Sequence, residues 1–164
     1  YPFDNCERVY GEDNTAQLQF LASPLVASCQ GIYYHRLIDT SLSHKVSLNN
    51  IRGNIRFINM KRQLKAHGYS NEILRLNETA FWESIVSSYY YYHRHRLGFS
   101  QAEQQEALYL IRYMREQIDT TLLAPSTRWR PGYWKMPSWH LFRLQEEAFF
   151  LLRRLIKKDN KALE

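Results

Sequence analysis

The chain has 164 residues, of which 45% are apolar and 15% aromatic, and its net charge is +6. This length predicts a single domain with a hydrophobic core, and no apolar run is long enough to cross a bilayer, so we expect no membrane partner. Cys6 and Cys29 are the only cysteines. They form no Cys-x-x-Cys pair, which argues against structural zinc, and no motif indicates a cofactor.

The N-terminal quarter combines an acidic arm with a strand pattern. Residues 1–14 carry few apolar side chains and no period, which predicts an acidic arm. Ala16, Leu18, Phe20 and Ala22 then alternate with polar residues, which predicts a half-buried strand over residues 15–22. Ser-Pro follows at once and predicts a helix from there to about residue 37.

Helical patterns fill the rest of the chain. A second helix is predicted from a Ser47 cap, with a break at Gly53 and an end at His67-Gly68. A third begins at Asn77 or Thr79 and runs to residue 98. The domain predicted to contain these helices covers residues 15–158, and 159–164 form a polar tail.

Two further helices complete the predicted order. Ser100 and Glu103 form a capping box before a fourth helix that is expected to end near residue 123. A loop over 124–137 leads to a last helix capped by Ser138. The predicted last helix runs through Leu141, Leu144, Phe149, Leu152 and Ile156. The fold class is therefore mainly α, with one short N-terminal strand and four or five helices.

The basic residues are concentrated in the sequence. No acidic residue occurs between Asp39 and Glu72, a window that contains Lys45, Arg52, Arg56, Lys61, Arg62 and Lys65. Arg94 and Arg96 follow four consecutive tyrosines, and Arg128, Arg130 and Lys135 alternate with aromatic residues in the predicted loop. Clustered cations interleaved with aromatics are typical of nucleic-acid-binding surfaces. Tyr and Arg are also enriched in protein interfaces, so an inter-subunit contact remains open for the tyrosine run.

A lone strand needs a partner for its backbone, and a second copy of the chain could supply one. Strand, helix and helix in this order over residues 15–67 resemble the ribbon–helix–helix DNA-binding regulators of plasmids and conjugative elements. The resemblance implies an intermolecular two-stranded ribbon and hence a homodimer. It further implies that Thr15, Gln17 and Gln19 face base edges in the major groove, where glutamine suits adenine.

The sequence thus favours a dimeric transcriptional regulator that binds duplex DNA, in the bacterial cytoplasm or a nucleus. No catalytic constellation can be argued, so we expect no enzyme. A protein-interaction or assembly subunit whose basic face meets an acidic partner is the alternative. A secreted helical cytokine is consistent with the sequon Asn77-Glu78-Thr79. Arg62 and His67 have the spacing seen in HEPN-superfamily nucleases, which keeps an RNase in view.

Overall fold

A computed structural model describes residues 11–27, 30, 46–123, 127 and 138–155. Predictions for residues 1–10, 28–29, 31–45, 124–126, 128–137 and 156–164 lie outside the described residues. The described helices are α1 (Gly11–Ala22), α2 (Asn49–Arg52), α3 (Arg56–Ala66), α4 (Asn71–His95), α5 (Gln101–Glu116) and α6 (Trp139–Leu155). Short 3₁₀ turns occupy Gly53–Ile55 and Arg96–Gly98. The mainly helical fold class is confirmed.

The strand prediction for residues 15–22 is wrong, because these residues lie in α1. Alternation would bury Leu18 and Phe20 together, but Leu18 is fully buried and Phe20 is 62% exposed. Asn14 is buried one turn before Leu18, as expected for a helix that docks by one face. Ala, Gln and Leu dominate this segment and are good helix formers, so their intrinsic preference prevails over a period-two pattern.

The chain leaves the helical conformation at Ser23. Its hydroxyl donates to the carbonyl of Gln19 at 2.7 Å, and Pro24 disfavours a helical conformation for the residue before it. Residues 24–27 and Gln30 are not helical, so the predicted helix from Pro24 does not begin there.

The break at Gly53 is confirmed: α2 and α3 are separated by the 3₁₀ turn. The prediction of Ser47 as the cap is wrong, since Leu48 occupies the N-cap position of α2 and forms no side-chain cap hydrogen bond. The amide of Ser47 instead donates to the hydroxyl of Tyr91 at 3.1 Å. This bond ties the start of α2 to the far end of α4.

Gly68 ends α3 with a left-handed turn, as the sequence predicts. Its φ is 70°, and its amide donates to the carbonyl of Lys65 at 3.1 Å. The amide of Tyr69 donates to the carbonyl of Leu64, also at 3.1 Å. The two bonds form a complete Schellman motif, which satisfies carbonyls at the helix end and turns the chain towards α4.

The long helix α4 begins at Asn71, six residues before the earliest predicted start. Ser70 is its N-cap, and the amide of Leu74 donates to the Ser70 carbonyl at 3.1 Å. The predicted capping box of α5 is confirmed, since the Glu103 amide donates to the Ser100 hydroxyl and the Ser100 amide donates to the Glu103 carboxylate. However, α5 ends at Glu116, seven residues before the predicted Leu123.

The main core lies where α3, α4, α5 and α6 meet. Its largest fully buried side chains include Trp82 and Tyr89 of α4, which pack against Phe142 of α6 at ring-centroid distances of 6.1 and 5.5 Å. A smaller cluster holds α1 in place: Leu18 is buried with Met60, Leu64 and Leu74. In the described part of the chain, no helix is long and apolar enough to cross a membrane.

The turn at Gly68 offers a controlled stability test. Gly68→Ala should destabilise the protein by about 1–2 kcal/mol, because a side chain disfavours positive φ. Gly98→Ala is the matched control, since an added Cβ meets open space at both glycines and only Gly68 has a positive φ. Urea unfolding at constant pH measures both. Equal stability of the two variants would show that the left-handed conformation of Gly68 is not what the substitution disturbs.

Candidate functional site

Two cations of the acid-free window form ion pairs with carboxylates of other helices. The Nε of Arg52 donates to Oε1 of Glu106 at 3.0 Å, which links α2 to α5. Lys61 Nζ donates to Oε1 of Glu78 at 3.0 Å and to the carbonyl of Gln117 at 2.6 Å. The Lys61 side chain is largely buried. The window is thus basic in sequence, but its charges do not all reach one open surface.

Arg62 and Lys65 are exposed near the end of α3. Arg56 is partly buried and its guanidinium lies 5.3 Å from the ring centre of Phe57. Arg75, which no sequence pattern marked as a binding residue, is exposed in α4. Arg62 and Arg75 each lie about two helical turns from Gly68, on either side of it. We call Arg62, Lys65 and Arg75 the basic end. Among the described residues, none of these three forms an ion pair.

The residues predicted to read bases do not form a strand. Thr15 is buried, and Gln17 and Gln19 are exposed on α1. A helical α1 provides no strand to pair in an intermolecular ribbon, so the arrangement that would place Gln17 and Gln19 flat in a groove is absent from residues 11–27. Lys45, Arg128, Arg130 and Lys135 lie outside the described residues.

The tyrosine run divides between core and surface. Tyr89 and Tyr92 are buried, as the helical period predicts, and Tyr90 and Tyr91 are half-buried. The Tyr91 hydroxyl also accepts a hydrogen bond from Asn50 Nδ2 at 2.7 Å. Tyr89 donates to Glu147 Oε1 at 2.8 Å, and its pKa is raised above the ordinary value chiefly by burial. Most of this run therefore serves packing between helices.

Two arginines meet at Tyr90, which packs on Phe150 of α6. The guanidinium carbons of Arg94 and Arg153 lie 5.7 and 5.6 Å from the ring centre of Tyr90. Arg96 is partly buried in the following 3₁₀ turn. The pKa of His95 is lowered by burial and by the charge of Arg94. Arg94 and Arg153 are both exposed.

The outer face of α6 is the least expected surface of the protein. Large apolar side chains between 39% and 67% exposed lie along it: Leu141, Leu144, Phe149, Leu151 and Leu152. The same helix buries Phe142, Glu146 and Phe150 on its opposite side. The described part of α6 is therefore apolar on two faces.

The exposed face has the spacing of a helix-pairing seam. Leu141, Leu144, Ala148 and Leu151 follow one another at intervals of three, four and three residues, and all four are exposed. This is the a/d spacing with which one helix packs against another. We call these four residues the α6 seam. The sequence does carry the signal, since an aromatic stripe and an aliphatic stripe share one helix, and only one of them can face the core.

Glu146 lies on the core side of α6, opposite the seam. It is 1% exposed, and neither carboxylate oxygen has a hydrogen-bond partner among the described residues. Burial raises its pKa to about 8 from the ordinary 4.5, so the carboxyl is mostly protonated at neutral pH. A neutral carboxyl is far less costly to bury than an ionised one.

The residues that suggested a secreted cytokine and an RNase lie in α4 and at the end of α3. Asn77 of the sequon lies within α4, and its Nδ2 donates to the carbonyl of Phe57 at 3.3 Å, so the sequon amide is engaged in helix packing. Arg62 and His67 are both exposed at the end of α3. Among the described residues, no group of three His, Cys, Asp or Glu side chains is arranged to hold a metal ion.

Comparison of the chain with protein-family models, with curated proteins and with solved structures finds no match. The function is therefore argued from the surfaces described above.

Glu146 makes the stability of the protein depend on pH. Its pKa is higher in the folded state than in the unfolded chain, so folding retains a proton between about pH 4.5 and 8. Stability must then fall as pH rises through this window, by at most about 1.4 kcal/mol per pH unit. Glu146→Gln should remove this slope and stabilise the protein at pH 8.

Denaturant unfolding at pH 5, 6.5 and 8 measures the effect. Glu116→Gln is the matched control, since Glu116 is an exposed carboxylate of α5. If Glu146→Gln retained the full slope of the wild-type protein, the assigned protonation of Glu146 would be wrong.

Proposed function

We propose that this chain is a non-catalytic interaction protein that binds an amphipathic helix of another protein on the α6 seam. One observation carries the proposal: leucines at helix-pairing spacing are exposed on a helix whose opposite side already forms the core. Contiguous exposed apolar surface of this kind marks protein-binding sites more often than nucleic-acid sites, whose surfaces are polar and basic.

The spacing favours a helix as the occupant. A partner helix inserts its side chains between residues three and four apart, and the small Ala148 at the middle of the seam lets its backbone approach closely. Leu144 and Leu151 are 67% and 55% exposed. Covering the exposed part of each leucine would contribute about 1 kcal/mol, so the loss of two should weaken binding at least about tenfold.

The test is a selection of displayed helical peptides on the wild-type protein. We expect the recovered peptides to carry apolar residues three and four apart, and to bind Leu144→Glu/Leu151→Glu at least about tenfold more weakly. Leu76→Glu/Leu97→Glu is the matched control, because it places the same charges at exposed leucines of other surfaces. Both double variants should retain the wild-type melting curve, since all four positions are exposed.

Two results would contradict the proposal. One is that no peptide is enriched over an unrelated helical protein used as bait. The other is that the enriched peptides bind the seam variant and the control variant equally well.

Nucleic-acid binding is the second candidate, and the basic end is what supports it. Arg62 and Lys65 are exposed, and they could meet neighbouring phosphates from the end of α3. We propose this as electrostatic binding without base reading, since nothing holds Gln17 and Gln19 on a ribbon.

A salt series on duplex DNA tests this candidate. Arg62→Ala/Lys65→Ala should flatten the dependence of log K on log salt by about two, roughly one for each phosphate that is no longer neutralised. Arg112→Ala is the control, since Arg112 is exposed but donates to Glu116 at 2.9 Å. An unchanged slope in the double variant would exclude the basic end as the binding surface.

A further inference from the structure

The α6 seam has its smallest side chain at its centre. Ala148 is exposed, and Leu144 and Leu151 are exposed about one helical turn before and after it on the same face. Leucine carries an isobutyl group where alanine carries only a methyl group. Ala148 therefore forms the floor of a depression between two taller side chains, which we call the Ala148 hollow.

The backbone of a partner helix cannot fill this hollow by itself. Leu144 and Leu151 are seven positions apart, which is about 10 Å along the helix axis. Helices bend only gently over such a length, so a partner that runs along the seam rests on both leucines. The closer approach that Ala148 permits is limited by these two contacts. The room that remains above Ala148 is available to a side chain of the partner.

The polar residues beside the hollow do not select a partner by charge. Gln145 and Glu147 lie on opposite sides of the seam from each other, before Ala148 in the chain. Gln145 is uncharged, and the carboxylate of Glu147 lies 3.9 Å from the guanidinium of Arg143, so the formal charges of this pair cancel. The hollow therefore discriminates between side chains by their size.

We infer that the helix bound by the α6 seam carries an aromatic side chain, of the size of phenylalanine, at the centre of its apolar stripe, and that Ala148 selects this side chain. The inference rests on the proposed function and adds the chemistry of the partner. Phenylalanine exceeds leucine by about as many side-chain carbons as leucine exceeds alanine. Phenylalanine opposite Ala148 thus fills its layer about as fully as leucine opposite leucine fills the layers on either side.

The same hollow disfavours a second copy of the chain as the occupant. Two α6 seams that pair in register place Ala148 opposite Ala148 and leave an unfilled space between them, which costs stability. A shift of one copy by a heptad would bring a leucine over Ala148. This shift would remove seven of the seventeen residues of α6 from the overlap. A partner whose central side chain is aromatic fills the hollow without that loss.

Three synthetic peptides test the inference. They share a leucine stripe at a/d spacing over about 18 residues and glutamine at the flanking positions, and they differ only at the central stripe position, which is Ala, Leu or Phe. Fluorescence anisotropy with the full chain measures their binding. The Phe peptide should bind most tightly, at least about tenfold more tightly than the Ala peptide, because it removes the most apolar surface from water.

A variant that fills the hollow should reverse this order. In Ala148→Leu the Phe peptide should lose at least about tenfold in affinity, and the Leu peptide should become the tightest binder. Leucine is a good helix former and Ala148 is exposed, so the melting curve should stay that of the wild type. Ala80→Leu is the matched control, since Ala80 is an exposed alanine of α4, and it should keep the wild-type order.

The outcomes separate the two proposals. Equal binding of the three peptides, or the wild-type order in Ala148→Leu, would overturn the aromatic anchor while the α6 seam still stood. Failure of every peptide to bind, or binding that ignored Leu144→Glu/Leu151→Glu, would overturn the seam as well. A wild-type dimer in sedimentation that dissociates in Leu144→Glu/Leu151→Glu would assign the seam to a second copy and overturn the aromatic anchor.

Discussion

The buried carboxylate of Glu78 is the interaction on which the arrangement of α3, α4 and α5 depends. Its Oε1 accepts from Lys61 Nζ at 3.0 Å and from the backbone amide of Asp119 at 2.5 Å. Lys61 also donates to the carbonyl of Gln117 at the end of α5. Three helices thus share one polar contact within an apolar surround. Removing either charged partner would leave the other buried without its opposite charge, which typically costs about 3–5 kcal/mol.

This pair also changes how the basic sequence should be interpreted. Sequence shows charge but not where the opposite charge will lie, and Glu78 is seventeen residues from Lys61. Arg52 meets Glu106 across a still longer separation of fifty-four residues. An acid-free window can therefore be neutralised by the next helix. Among the described basic residues, Arg62, Lys65 and Arg75 remain exposed on either side of the Gly68 turn. Arg94 and Arg153 are also exposed, beside Tyr90.

Local chemistry decided which parts of the fold could be predicted. The Ser100 capping box and the Gly68 turn depend on residues within six positions of one another, and both were predicted correctly. The start of α4 was missed because Ser70 caps through backbone geometry, with no side-chain cap hydrogen bond to mark it. The strand prediction was wrong because alternation over eight residues cannot reveal which side chains become buried. Leu18 packs against residues more than forty positions away in the sequence.

The candidate site was missed for a different reason. In α6 both stripes are apolar, so the sequence pattern alone does not show which of them faces the core. The aromatic side of α6 faces the core. Trp139 and Phe142 stack with a centroid distance of 5.6 Å, and both rings contact Tyr89 of α4. Large flat rings bury more area for each residue than leucines do. The leucines are left outside as a consequence of that packing.

The position of Glu146 connects the two faces of α6. A helix advances 100° for each residue, so Glu146 points away from both Leu144 and Ala148 and directly into the core. Ionisation of this carboxyl would favour the loss of α6 from the core, since water is the nearest source of solvation for the charge. The α6 seam exists only while α6 is docked and helical. Binding at the seam should therefore weaken above about pH 8, and in Glu146→Gln it should persist to higher pH. A peptide titration at pH 7 and pH 9 on both proteins distinguishes this coupling from direct titration of the bound peptide, which would be the same for both.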